Sequence, residues 1–309
     1  MLDVTIVGGG PAGLAAALTL GRVRRETLVV DSREPRNAAS PAMHNFLSRD
    51  GTPPAELRAI ARAELEVYPT VRVREAVVTT IRRMGEDGFE IALGGGEVVR
   101  ARRVLLATGV VDELPLIDGL AALWGRAVLH CPYCHGWEVR DSPLAVLGAS
   151  PGHTRLALHL TRLSGDVALL TNGEALDEAD ARRLLERSGV TIREEPIVRV
   201  EGEGNDVVHI MFDGAPALAR RAIFAHPSTR QRCALAEELG CEILEDGSVA
   251  VDDFGRTSVP GVFAVGDMAR RTTMPYPVAA VIAAAASGTI AGGSIDQELV
   301  GEEFRLPNG

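Results

Sequence analysis

The string Gly8-Gly-Gly-Pro-Ala-Gly13 directly follows the apolar run Val4–Val7 and directly precedes Leu14–Leu20, which has helical composition. No other feature constrains the fold as strongly. In a Gly-x-Gly-x-x-Gly turn the glycines permit a tight bend, close approach of a pyrophosphate, and close packing of helix on strand. The helix start then aims its amides at the phosphates. A second apolar run, Thr27–Val30, ends in Asp31, 18 residues beyond Gly13. An acid at that distance accepts hydrogen bonds from a ribose. Gly8, Gly10, Pro11, Ala12, Gly13 and Asp31 are therefore the first candidate cofactor-binding residues.

The alternation of strand and helix continues. Pro53–Glu66 is expected as an amphipathic helix, and Val71–Val73, Val77–Ile81, Phe89–Leu93, Val98–Val99 and Val104–Ala107 as strands. Leu144–Gly148 opens a second strand–turn–helix unit, followed by a strand at Val167–Leu170 and a helix at Ala179–Ser188. Val262–Val265 is another short buried strand, and the alanine-rich Val278–Gly292 reads as a buried helix. Two strands deliver Thr108-Gly109 and Gly266-Asp267 to a carboxyl edge, where α/β sheets bind ligands. The expected fold class is α/β, with two nested Rossmann-like three-layer domains. The outer domain would comprise residues 1–112 and 246–309, and the inserted one residues 113–245.

Lys plus Arg total 32 against 42 for Asp plus Glu, a net charge of −10, which argues against a nucleic-acid partner. All 32 cations are arginine. Schiff-base chemistry on pyridoxal phosphate and a phosphate-loop lysine are therefore excluded. Four cysteines are too few for a disulfide-stapled secreted scaffold. The 15 residues of Val278–Gly292 fall short of the roughly 20 that a spanning helix needs. The start, Met1-Leu-Asp-Val, carries no basic leader. The expectation is a cytoplasmic protein without a membrane partner.

Cys131-Pro-Tyr-Cys134-His135 is the second strong signal. Two intervening residues suit a redox dithiol/disulfide. Covalent haem attachment also uses Cys-x-x-Cys-His, although that chemistry normally needs an export route. A zinc site drawing on His130, Cys131, Cys134 and His135 would normally need a second short pair, which Cys233 and Cys241 do not supply. An inert buried pair is the fourth reading. No metal site is expected.

Taken in order, Gly8–Gly13, Ala107-Thr-Gly109, Cys131–Cys134 and Gly266-Asp267 resemble the low-molecular-weight thioredoxin reductases over essentially the whole chain. The resemblance implies FAD held by the first and last motifs. It implies electron exchange between the cysteine pair and the flavin, with Cys134 against the ring, and a homodimer. Asn45, beside His44 in the loop Met43–Phe46, is a further candidate cofactor contact. The longer string His130-Cys-Pro-Tyr-Cys-His-Gly-Trp-Glu138 is closer to a subgroup. It resembles the dithiol oxidases that close disulfides in natural products such as gliotoxin, holomycin and romidepsin.

Departures from the reductase pattern favour that subgroup. The inner glycine motif reads Gly148-Ala-Ser150-Pro-Gly-His153, which keeps only the first of the three glycine positions. The place of the ribose-binding acid, or of an arginine for a 2′-phosphate, falls on Thr171-Asn172-Gly173. His135 stands where the reductases carry an Asp. NADPH binding is therefore doubtful, and electrons are expected to enter from a thiol substrate. Cys131 would take the substrate sulfur and Cys134 would face the flavin. His135, backed by His130, would move protons and, when protonated, favour a thiolate. The expected activity is FAD-dependent oxidation of a small dithiol with O2 as final acceptor. The alternatives are an NADPH-dependent reductase of a thioredoxin-like protein and a non-catalytic flavin redox sensor.

Overall fold

The computed structural model describes residues 1–85, 87–176, 179–203 and 207–306. It forms two compact units. The outer one comprises Met1–Ala38, Pro54–Val111 and Thr229–Gly309, and the inner one Ala39–Pro53 and Asp112–Ser228.

In the outer unit, β1 (Leu2–Val7) leads through the glycine turn into α1 (Pro11–Arg22) and on to β2 (Thr27–Asp31). After α2 (Pro54–Leu65) comes β3 (Val71–Glu75), and β1, β2 and β3 pair in parallel. β4 (Val78–Arg83), β5 (Phe89–Leu93) and β6 (Val98–Leu106) form an antiparallel arm, and β6 pairs in parallel with β1. The strand Val262–Ala264 joins the last residues of β6, on the edge whose first residues pair with β5. Both faces of the sheet are covered. Val4, Ile6, Val29 and Leu105 pack into one core cluster, and Val7, Val30 and Leu106 into another. Burial on both faces explains why the central strands read as continuous apolar runs.

The expected strands Val98–Val99 and Val104–Ala107 are one strand. The arginines that interrupt its apolar pattern pair with the C-terminal helix, Val281–Phe304. Arg102 meets Glu302 at 3.0 Å and Glu303 at 2.6 Å, and Arg103 meets Glu298 at 3.3 Å. These acids also explain why the helix runs past Gly292, where the alanine pattern stops. No helix among the described residues is long and apolar enough to cross a membrane.

In the inner unit, the parallel strands Val190–Arg193, Val167–Leu170, Leu144–Leu147, Ala222–Ala225 and Val128–Leu129 lie side by side in that order. A three-stranded antiparallel sheet, Ile197–Glu203, Val207–Phe212 and Ala215–Arg220, buries Val200, Val208 and Ile210 in the same cluster as Ala145 and Leu147. The chain returns to the outer unit at Thr229, earlier than residue 246. Leu235, Ala236 and Cys241 are buried with Val78 and Ile81 of β4, which binds this segment to the outer core.

The C-terminal helix approaches α1 backbone to backbone. A Cβ at Gly288 would overlap the Ala12 carbonyl. Gly288→Ala gains about 1 kcal/mol of helix propensity but forces apart a contact whose overpacking typically costs 1–3 kcal/mol. A lowered thermal unfolding midpoint is expected. An unchanged or raised midpoint would contradict the close approach.

Candidate functional site

The outer unit brings most of its predicted residues together at the carboxyl ends of β1, β6 and Val262–Ala264. Gly8 adopts φ +116°, and a Cβ there would overlap the Ala107 carbonyl, one residue before Thr108. A Cβ on Gly13 would overlap the Gly8 carbonyl, and one on Gly9 would lie 2.6 Å from Asp31 Oδ2. Gly10 differs: a Cβ there meets nothing within 4 Å among the described residues. Gly10 is also the N-cap of α1 and has no side chain to offer the first-turn amides, with Pro11 filling the first turn. A bare helix start inside an otherwise tight glycine turn is a seat for a phosphate.

Around that seat, Gly266 (φ +75°) would place a Cβ 3.2 Å from Ala12 Cβ, and its amide donates to Ser287 Oγ at 3.1 Å. Thr108 Oγ1 donates to Met268 Sδ at 3.2 Å, and Gly109 has φ +68°. Asp31, almost fully buried, accepts from the Arg33 amide at 3.2 Å and pairs with Arg62. Asp267 pairs with Arg36 at 2.7 Å. These residues fit FAD: a glycine cradle and open amides for its pyrophosphate, and Asp31 and Asp267 for sugar or ribityl hydroxyls. Arg36, Arg62 and Ser287 belong to no sequence motif, and only the fold brings them here. Asn45 lies in the inner unit at φ +60°, its amide donating to Asp50 Oδ1 at 2.7 Å.

The inner unit has a helix start of the opposite kind. His153 Nδ1 accepts from the Ser150 amide at 3.3 Å and lies 2.7 Å from Ser150 Oγ, so the helix Pro151–Leu160 caps itself. Its ring also fills the space over Gly148, where a Cβ would come within 2.6 Å of Nδ1. At the expected ribose position, Asn172 Oδ1 is occupied by the Ile197 amide at 2.7 Å. Ser150 and His153 thus satisfy this helix start from within the chain.

Cys131 caps the single-turn helix Pro132–His135, and Cys134 lies on that turn. Their Sγ atoms are 2.6 Å apart, so a disulfide can close with little backbone movement. The Cys134 thiol, which donates to Cys131, pulls the Cys131 pKa down to about 7 against burial; the Cys134 and Tyr133 amides add to the effect. An expected imidazolium is not among these causes. Burial, and then His44, push His135 below its ordinary pKa, which leaves it neutral at pH 7. His135 Nε2 is 2.9 Å from Ser40 Oγ, and its ring meets His44 edge-on with centroids 6.1 Å apart. His130 stacks at 4.9 Å on His226, whose ring is 6.3 Å from that of His153. His226 and Ser40 carried no sequence signal because both reach the site through tertiary packing. Among the described residues, no group of three or more His, Cys, Asp or Glu side chains is placed to hold a metal ion.

Residues 2–283 match the family model described as pyridine nucleotide-disulphide oxidoreductase. Thioredoxin reductase tcpT of Claviceps purpurea is 35% identical over 280 residues, 86% of each chain. Thioredoxin reductase sirT of Leptosphaeria maculans is 31% identical over 98% of this chain and 96% of its own. The crystal structure of HlmI superposes with a TM-score of 0.91 at 41% identity, covering 98% of this chain and 94% of HlmI. The chain belongs to the pyridine nucleotide-disulphide oxidoreductase family, as an FAD-binding, thioredoxin reductase-like oxidoreductase.

Proposed function

We propose that the protein oxidises a small dithiol through the Cys131/Cys134 pair, with O2 as the final acceptor. The observation that carries this reading is the contrast between the two helix starts. The one at Gly10 is bare and fit for a cofactor phosphate, while the one at Ser150 is closed by Ser150 and His153. With the nicotinamide route obstructed, electrons enter as thiolate.

In the first step a substrate thiolate attacks Cys131 Sγ of the oxidised pair. The Cys131–Cys134 bond breaks, and its electron pair leaves on Cys134. The substrate's second thiol then attacks the substrate sulfur of the mixed disulfide, closing the substrate disulfide and expelling Cys131. A thiol with a pKa of about 7 is a good leaving group at neutral pH, since exchange is faster when the departing sulfur is less basic. The net change moves two electrons and two protons from substrate to protein. His135, neutral and one residue beyond Cys134, is the base that takes a proton from the attacking thiol. FAD, which Gly8–Gly13, Asp31 and Asp267 would hold, would supply a two-electron acceptor for the reduced pair and a donor to O2, giving H2O2. Tyr133 and Trp137, both largely exposed beside the pair, offer apolar surface to a small substrate.

Two outcomes test this. Given a small dithiol in air, the holoenzyme should form one H2O2 per substrate disulfide, and Cys134→Ser should keep its yellow cofactor yet lose turnover. Retained turnover would overturn the assigned electron path. In the reduced protein, alkylation of Cys131 by iodoacetamide, followed by peptide mass spectrometry, should have a midpoint near pH 7. In Cys134→Ala the midpoint should rise toward the ordinary thiol range, because the donated hydrogen bond is gone. An unmoved midpoint would show that Cys134 does not set the acidity of Cys131.

A further inference from the structure

We propose that Ser40 is a positioning residue for His135, fixing the ring tautomer that leaves Nδ1 free to accept a proton. The proposal rests on the dithiol-oxidation reading and assigns the device that prepares its base.

The Ser40 hydroxyl has one hydrogen to give. Ser40 Oγ donates to the Ala42 carbonyl at 2.6 Å. Its oxygen also faces His135 Nε2 at 2.9 Å. With its hydrogen on the Ala42 carbonyl, a group to which the His135 ring also hydrogen-bonds, the hydroxyl meets Nε2 through a lone pair, and Nε2 carries the ring proton. In a neutral imidazole the other nitrogen is then a bare acceptor. The opposite tautomer would present a donor to the thiol proton and could not take it. Ser40 and His135 are 95 residues apart in sequence and meet because Ala39–Pro53 packs within the inner unit.

The neighbours of the ring are consistent with a neutral base. His44 lies edge-on to it, and the Ala42 carbonyl and Glu138 favour its protonated form without outweighing burial. His44 Nδ1 in turn lies 3.3 Å from Asp50 Oδ2 and 3.6 Å from Glu138 Oε1. Cys131 and Cys134 share the turn of His135.

The test uses holoenzyme labelled with 15N-histidine, with His135→Gln to assign the signal. The wild type should show His135 protonated on Nε2. Ser40→Ala should mix the tautomers and lower the His135 pKa, because an acceptor that bonds most strongly to the imidazolium is lost. Anaerobic flavin reduction by a small dithiol should slow about tenfold, the worth of one such hydrogen bond. Ser40→Thr, which keeps a hydroxyl, should restore tautomer, titration and rate. A wild-type ring protonated on Nδ1 overturns the proposal even if Ser40→Ala fails to fold. So does a folded Ser40→Ala protein with unchanged tautomer, titration and rate. A wild-type protein that dithiol does not reduce defeats the functional reading instead, and the tautomer still decides the role of Ser40 at the ring.

Discussion

The first-turn amides of a helix must find acceptors, and this chain meets that demand in two opposite ways. At α1 the N-cap is Gly10; Gly8, Gly9 and Gly13 are tightly held, while a Cβ on Gly10 would meet nothing within 4 Å among the described residues. An anionic cofactor completes such a helix start. At Pro151–Leu160 the demand is met from within, by the mutual bonds of Ser150 and His153, and the imidazole occupies the space over Gly148. Two loops at equivalent places in two nucleotide-type folds thus present one seat and one plug. A pyrophosphate at the second would have to displace a capping pair and a packed ring.

The chemistry of the cysteine pair follows from equally local causes. Cys131 is acidified mainly by its own partner thiol, with help from two backbone amides. Its readiness to leave as thiolate is therefore built into one turn of helix and needs no charged neighbour. That frees His135 to remain neutral. A neutral imidazole can accept a proton, whereas an imidazolium held to stabilise a thiolate could not. Replacing the carboxylate that a reductase-like pattern would carry at this position with a half-buried histidine is consistent with a pair that is loaded by thiols.

Much of this was legible in the sequence, for identifiable reasons. The glycine turn, the strand ends at Thr108-Gly109 and Gly266-Asp267, and the cysteine pair are local patterns whose residue types admit few alternatives. The degenerate inner motif was readable as a loss of glycines, but not as a plug. That His153 folds back onto Gly148 depends on a rotamer and on Ser150, which no spacing rule encodes. Strand β6 reads as two in the sequence because Arg102 and Arg103 break its apolar run, and their partners lie about 200 residues further on in the C-terminal helix. Leu235, Ala236 and Cys241 reveal their outer-unit allegiance only through β4, which no local pattern ahead of residue 246 encodes. Ser40 and His226 lay in stretches without a motif, and tertiary packing alone brings them to the ring of His135 and the ring of His130.

The central claim is that the protein is charged by thiols and not by nicotinamide. The most direct measurement is flavin absorbance in oxidised holoenzyme mixed anaerobically with a small dithiol, and separately with NADPH at the same concentration. The account predicts rapid bleaching by the dithiol and none by NADPH. Rapid bleaching by NADPH, with the dithiol inert, would contradict it.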